Sequence, residues 1–353
     1  MTTRERFLRV LSHKEPDRVP FWDYAWGSAY PKWHKEGLPE NCSSIVDYFD
    51  LDKIRHIGSD TTPRFDQKIV EETPDYKIYT TSNGATLKAF KHTMSTPDFV
   101  DFTVKTPDDW LAAKKRLTPS SDRVNWERIE SNYKNWKAED AWIVFDMNFG
   151  FDFTHSWFVG TERILFALAE DPEWCMDMFN SFLDLNITNA EMVLDKGYEI
   201  DAIFWADDMG YKLSQFFSLN TYRELLKPVH KRLVEWAHSK GIFAHLHSCG
   251  DVRPFVPELV EIGVDVLNPI EVKAGMDAVK IKQQFGDKLT LHGGINAVLW
   301  DDVEAIEAEM RSVLPTVMQN GGYIFSSDHS IPDSVQFKDL CRIMDLYKKL
   351  GKY

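Results

Sequence analysis

Ile242-Phe243-Ala244-His245-Leu246-His247-Ser248-Cys249-Gly250-Asp251 opens as an apolar run with period-two alternation, the pattern of a buried strand. Residues i and i+2 of a strand face the same side, so His247 and Cys249 present an imidazole and a thiol together. Gly250 directly after them ends the strand and lets the chain turn. Imidazole plus thiolate is a donor pair that zinc, a borderline-soft cation, prefers.

Outward from this stretch the same unit repeats. Apolar runs at 142–148, 201–205, 264–269, 289–292 and 322–327 alternate with amphipathic stretches of helical length at about 161–197, 219–240, 254–263, up to Gly286, 301–319 and 334–349. Near-continuous apolar strands separated by helices imply parallel pairing with both faces covered. Six such units are joined upstream by two strand candidates, Val19–Tyr24 after a helix at Arg4–Leu11, and Lys53–Ser59. Eight units predict a (β/α)8 TIM barrel with an N-terminal helical extension, spanning residues 1–353 as one domain. An insertion at about 68–137 separates the second and third strands. Its Tyr76–Thr80 and Thr86–Phe90 runs flank Asn83-Gly84, a β-hairpin signal, and a Trp-rich helical part follows. A doubly wound open sheet is the alternative, weakened because no Gly-x-Gly-x-x-Gly turn follows any strand.

Composition narrows the function classes. Of 353 residues 43% are hydrophobic and 13% aromatic, ample for a large core. The formal charge of −14, with no basic stripe, disfavours nucleic acid. No apolar run is long enough to cross a bilayer. The four cysteines have no framework spacing and no leader opens the chain, which predicts a cytoplasmic location.

A barrel keeps its active site at the C-terminal ends of its strands. Read in order, those ends carry Trp22 and Asp23, Asp146 and Asn148, Asp207 and Asp208, His247 and Cys249, Glu271, His292, and Asp328 and His329. Each has a plainer reading alone: Asp207 and Asp208 could cap a helix, His292 could satisfy a carbonyl, and Glu271 could pair with Lys273. An ionisable group at strand end after strand end is costly unless it has a use, so the ring predicts a catalytic cup. Trp22, Tyr24, Trp26, Phe149 and Phe151 cluster near two of these ends and would wall it for a flat, apolar substrate. His13, His34, His56, His92, His155, His230 and His238 are isolated and read as surface or capping residues.

The segments Arg4–Leu11, Pro16-Asp17-Arg18-Val19-Pro20, Trp33–Pro39, His247-Ser248-Cys249-Gly250 and Ser327–Pro332 resemble the uroporphyrinogen decarboxylase superfamily over nearly the whole chain. Asp207–Lys212 and Asn268–Asp277 resemble its corrinoid-dependent methyltransferase branch. That resemblance implies the barrel fold and methyl exchange with the cobalamin of a separate corrinoid protein. It also implies a metal held by His247 and Cys249, with His329 standing where thiol-methylating members carry a second cysteine, and with Glu271 or His292 as alternative ligands. One thiolate fewer makes the metal a better Lewis acid, which favours polarising an ether oxygen. True decarboxylases of the family carry arginines after the first strand; Phe21–Trp26 here is aromatic and acidic.

The reading is therefore an O-demethylating methyltransferase moving a methyl group from a small donor, an aryl methyl ether first, to cob(I)alamin on the partner. Asp207, Asp208, Glu271 and His292 are its catalytic candidates. Trp22, Asp23, Trp26, Asp146 and Asn148 are its substrate-binding candidates, and His247, Cys249 and His329 its zinc ligands. Alternatives are a methylcobalamin-dependent enzyme acting on a thiol or tetrahydrofolate, a decarboxylase, and a non-catalytic corrinoid-binding barrel. The assembly is left open, with a homodimer as one option.

Overall fold

Seven parallel strands stand side by side in chain order in the computed structural model, which describes residues 1–92 and 96–353. They are Ile54–Ile57, Trp142–Met147, Ala202–Ala206, Phe243–His247, Val266–Asn268, Thr290–His292 and Tyr323–Ile324. The eighth stave is the stretch 19–24 expected as the first barrel strand. It is reduced to a parallel bridge at Phe21–Phe325, with Trp22 N donating to Phe325 O at 3.0 Å. Pro20 has no N–H to give to a ladder, which accounts for so short a pairing. Towards Ile54–Ile57 the stave is joined by side chains. Asp52 accepts from Phe21 N at 2.8 Å and pairs with Arg18 at 2.6 Å and with Arg6. A cavity of about 240 Å³ remains between the two segments.

Strand parity sets the interior. Trp142 and Val144 point inward and meet Phe7, Val10 and Leu11 of the N-terminal helix Thr3–Leu11, which plugs the bottom of the barrel. A capping box between Thr2 and Glu5 starts that helix. The outer layer is made by helices whose starts carry expected signals: Asp171 caps Pro172–Asp195, and Asp302 caps Val303–Val317. The helix expected at 219–240 is broken instead. A π turn at Tyr222–Leu226 separates Leu219–Thr221 from Lys227–Ser239, next to Pro228, whose missing N–H cannot serve the preceding turn.

The insertion holds more β structure than a hairpin. Ile69–Glu72, Tyr76–Thr80, Ala85–Phe90 and Asp98–Phe102 form one antiparallel sheet, followed by helices Pro107–Lys114 and Trp126–Ala138. Ile69–Glu72 escaped the sequence reading because it is exposed along its length and lacks an alternating pattern. Residues 93–95 of the expected insertion lie outside the described residues. Trp110 Nε1 donates to Asp177 at 2.7 Å, tying the insertion to the helix Pro172–Asp195. Among the described residues, no helix is long and apolar enough to cross a membrane.

Candidate active site and metal centre

His247 closes the strand Phe243–His247 and faces the mouth, with Cys249 two residues on. Gly250 then adopts φ +82°, and a Cβ there would collide with the backbone of Gly210 and Tyr211, so only glycine lets the chain cross at this point. The Cys249 Sγ lies 3.2 Å from His247 Nε2. Asp208, just past the strand Ala202–Ala206, accepts from Cys249 N at 2.7 Å and stands 3.7 Å from His247 Nε2. The ligand atoms of Asp208, His247 and Cys249 all lie within 4.8 Å of one another.

The surroundings orient the imidazole. Asn268 Oδ1 accepts from His247 Nδ1 at 2.5 Å, and Asn268 Nδ2 donates to His292 O at 3.2 Å. This fixes the tautomer with the Nε2 lone pair turned to Cys249 and Asp208, the arrangement a metal-ligating histidine needs. A thiol, an imidazole and a carboxylate brought together in this way fit zinc. Burial, with Asp208 and Glu271 nearby, pushes the Cys249 thiol well above its ordinary value, so without a cation it stays protonated. Burial likewise raises Asp208.

His329, expected as the third ligand, stands apart from this cluster. It is exposed at the rim and stacks on Trp26 at 6.2 Å. Asp208, expected as a proton donor, lies with His247 and Cys249 in the group that could hold a metal. His292 has both nitrogens engaged, Nε2 donating to Trp22 O at 2.7 Å and Nδ1 facing His245 Nε2 at 3.1 Å. Burial holds it down at about 3, a neutral imidazole built into the barrel interior rather than a ligand or acid. Glu271 is buried, accepts from Gly250 N at 2.5 Å and faces Lys273 at 3.2 Å, so it holds the turn that carries Cys249.

Asp207 points away from the mouth. It is fully buried, meeting His230 Nε2 at 2.8 Å and accepting from Asp152 N at 2.7 Å, and burial raises its carboxyl. Gly150 is needed beside it, since a Cβ there would collide with the Asp207 carboxylate. Asp23 is also buried, joining the first and last staves by accepting from Ser327 N at 2.7 Å and Tyr24 N at 2.7 Å. Burial pushes it up to about 7 against those donors. Asp328 holds two loops by accepting from Val272 N and Ala297 N.

The aromatic wall differs from the expected one. Trp22, 3% exposed, packs between Phe7, His245 and His292 in the interior, and Phe149 and Phe151 are buried. Phe149 packs on Trp205 and His230, and Phe151 on Phe216 and Phe217. The rings that remain open are Tyr24, 55% exposed, and Trp26, 37% exposed, while Phe204 is half-buried between Trp22 and His247. Asn148 is exposed, and its backbone is held by Asn186. Asp146 meets His56 Nδ1 at 2.8 Å. Sequence reasoning missed His56 and Asn268. The signal for His56 was strand parity, since it shares the inward face of its strand with Ile54.

A parallel barrel with a metal-type donor cluster at adjoining strand ends is the frame of an enzyme that works at the mouth. The model of the uroporphyrinogen decarboxylase (URO-D) family matches residues 156–350, more than half of the chain, and the chain belongs to that family. It is 30% identical over 162 residues to the uroporphyrinogen decarboxylase of Helicobacter pylori (strain P12), covering 43% of this chain and 40% of that protein. It is 25% identical over 142 residues to a methylated-thiol–coenzyme M methyltransferase of Methanosarcina mazei, covering 39% of this chain and 35% of that protein. The matched stretches thus span well under half the length of these curated relatives. A solved methyltransferase from Methanosarcina mazei superposes with a TM-score of 0.67 over 99% of both chains at 16% identity, which shows a shared fold.

Proposed function

We propose that this protein is a methyltransferase that demethylates a small methylated donor, an aryl methyl ether first, and passes the methyl group to cob(I)alamin on a partner corrinoid protein. The observation that carries the reading is the Asp208, His247 and Cys249 cluster, a set with one thiolate in a mouth bordered by open aromatic rings. Bound there, zinc would supply a Lewis acid for the ether oxygen. A phenolate is a poor leaving group from an sp3 carbon, and relieving its charge is the main demand of the reaction. The chain does the rest: Asn268 orients His247, Glu271 and Gly250 hold the Cys249 turn, and Trp26, Phe204 and Tyr24 receive the ring.

Decarboxylation is disfavoured because Phe21–Trp26 offers no basic residue to a polycarboxylate. The name of the Methanosarcina mazei relative, a methylated-thiol–coenzyme M methyltransferase, favours a second reading, methyl exchange with a thiol. Incubation of metal-loaded protein and reduced corrinoid protein with methoxyarenes, methanol, methylamines and methyl thioethers separates the two. The proposal expects methoxyarenes to be demethylated fastest; faster reaction of a thioether would install the thiol reading, and reaction of none would end both.

Trp26 gives a further expectation. It is open at the rim, so Trp26→Ala should raise KM for a methoxyarene by roughly tenfold, about 1.4 kcal/mol of lost ring contact. The melting temperature should stay put. An unchanged KM in steady-state assays would remove Trp26 from the substrate wall.

A further inference from the structure

Beside the donor cluster the rim carries a lysine that the proposed reaction does not yet use. Lys273 stands in the short turn Val272–Ala274, which follows the strand Val266–Asn268. Its ammonium meets Glu271 Oε1 at 3.2 Å, while Glu271 Oε2 accepts from N of Gly250, the residue after Cys249, at 2.5 Å. A single carboxylate therefore separates Lys273 from the turn that carries the thiol. The same lysine is tied to the last loop. Val272 N donates to Asp328 Oδ2 at 2.8 Å, which cross-links the two loops one residue before Lys273 and one before His329. Ala25 bridges Ile331 and Trp26 N donates to Ile331 O at 3.1 Å, so the Trp26 ring lies over His329, 6.2 Å away and within 13° of parallel. The charge of Lys273 acts in both directions. Burial pushes the Cys249 thiol up and the Lys273 ammonium works against it, while burial lowers His329 and the same ammonium lowers it further.

We propose that Lys273 receives a carboxylate of the substrate, with the His329 imidazole and the Trp26 indole beside it, so that the preferred methyl donor is a methoxybenzoate. This rests on the methyl-ether reading above and names the class of ether. Glu271 takes one of the three N–H groups of the ammonium, and two remain for a ligand. The Lys273 side chain is 38% exposed, open enough to be reached and sheltered enough for a charge-assisted bond to count. The charges around it select an orientation. Asp208, Glu271 and Asp328 make the mouth acidic, and an anion is repelled from it except at Lys273. An aromatic acid therefore enters with its carboxylate on the ammonium and its ring against Trp26. The ring then spans the gap that Glu271 spans, and its methoxy group is presented to the donor cluster. One ammonium matches one carboxylate, which agrees with the disfavour shown to a polycarboxylate.

The test compares charged and neutral donors of one shape. The 3- and 4-methoxybenzoates are assayed against the corresponding methoxybenzyl alcohols with wild type, Lys273→Met and Lys273→Arg. Lys273→Met should lower kcat/KM for the better acid about 30-fold more than for its alcohol, mainly through KM, the scale of a lost hydrogen bond between charged groups. Lys273→Arg keeps the charge and should hold the preference within about threefold of wild type. An equal loss on acid and alcohol would overturn the proposal and leave Lys273 a partner of Glu271 alone. Because Lys273→Met also disturbs Glu271, His329→Leu is the second variant. It leaves the Glu271 and Gly250 contacts alone and should reduce the preference for the acid by about threefold. A second arm needs no methyl transfer. Calorimetric titration of the zinc-loaded protein with each methoxybenzoate should show wild type binding the better one about tenfold more tightly than Lys273→Met does. A carboxylate bound only to the metal would not depend on Lys273. If no ether reacts yet this difference holds, the methyl-ether reading fails while the carboxylate site stands. Equal binding by the two proteins would overturn the site itself.

Discussion

Cys249→Ser is expected to lose bound zinc and at least about 100-fold in methyl transfer while the fold stays intact. Serine nearly matches cysteine in shape, and Cys249 is only partly buried by its neighbours, so the packing loss should stay below about 1 kcal/mol. The hydroxyl cannot replace a thiolate as a soft donor. The wild-type site also has a defined pH response. Burial and the neighbouring Asp208 and Glu271 keep the free thiol protonated, so metal must displace that proton on binding. Zinc occupancy should therefore rise with pH, by about tenfold in affinity per unit for one released proton, and fall as the solution is acidified. Metal analysis after dialysis at several pH values reads this directly. A Cys249→Ser protein that keeps both its zinc and its activity would place the chemistry elsewhere.

Asp52→Ala should be the most damaging single change to the fold. Asp52 is fully buried and joins three pieces of the barrel: Arg6 of the N-terminal helix, Arg18 at 2.6 Å before the first stave, and Phe21 N at 2.8 Å within it. Removing it leaves the Arg18 guanidinium without a carboxylate in a low-dielectric corner and takes one of two carboxylates from Arg6. Arg6 keeps Asp17 at 2.8 Å, but Arg18 retains only the Val19 carbonyl and the Tyr347 hydroxyl. Breaking one side of a buried ion pair costs about 3–5 kcal/mol, which corresponds to a fall of roughly 4–7 °C in melting temperature for a chain of this size. The first stave has no ladder to its neighbour on this side, so loosening should begin there. Hydrogen exchange at Phe21 and Trp22 should speed up before exchange in Phe243–His247. A melting temperature within about 2 °C of wild type would show that the cluster does not hold the closure.

The barrel was legible because its signals are local. Apolar runs bounded by Gly and polar residues located the strands, and parity within the Phe243–His247 run placed His247 and Cys249 on one side. The donor cluster was half legible for the same reason. Asp208 was named at its strand end, but its place beside Cys249 depends on the register of two adjoining strands, in which His247 stands opposite Ala206. His329 was drawn in as a ligand by resemblance, yet nothing in its local sequence says whether the last loop turns it into the mouth or out to the rim. The aromatic wall misled for a related reason: sequence counts rings near a strand end but not which of them turn into the barrel, as Trp22 does, or are covered by a neighbouring segment, as Phe151 is by Phe216 and Phe217. His56 looked isolated because its partners, Tyr24 and Asp146, are distant in sequence. Each is one stave away in space.

The most direct test of the whole account is a single-turnover spectrum. Zinc-loaded protein is mixed anaerobically with stoichiometric cob(I)alamin-carrying corrinoid protein and guaiacol, and the cob(I)alamin band is followed. The account expects that band to give way to methylcobalamin, with one catechol formed per cobalt. An unchanged cob(I)alamin spectrum with the zinc-loaded protein, across guaiacol and related methoxyarenes, would contradict it.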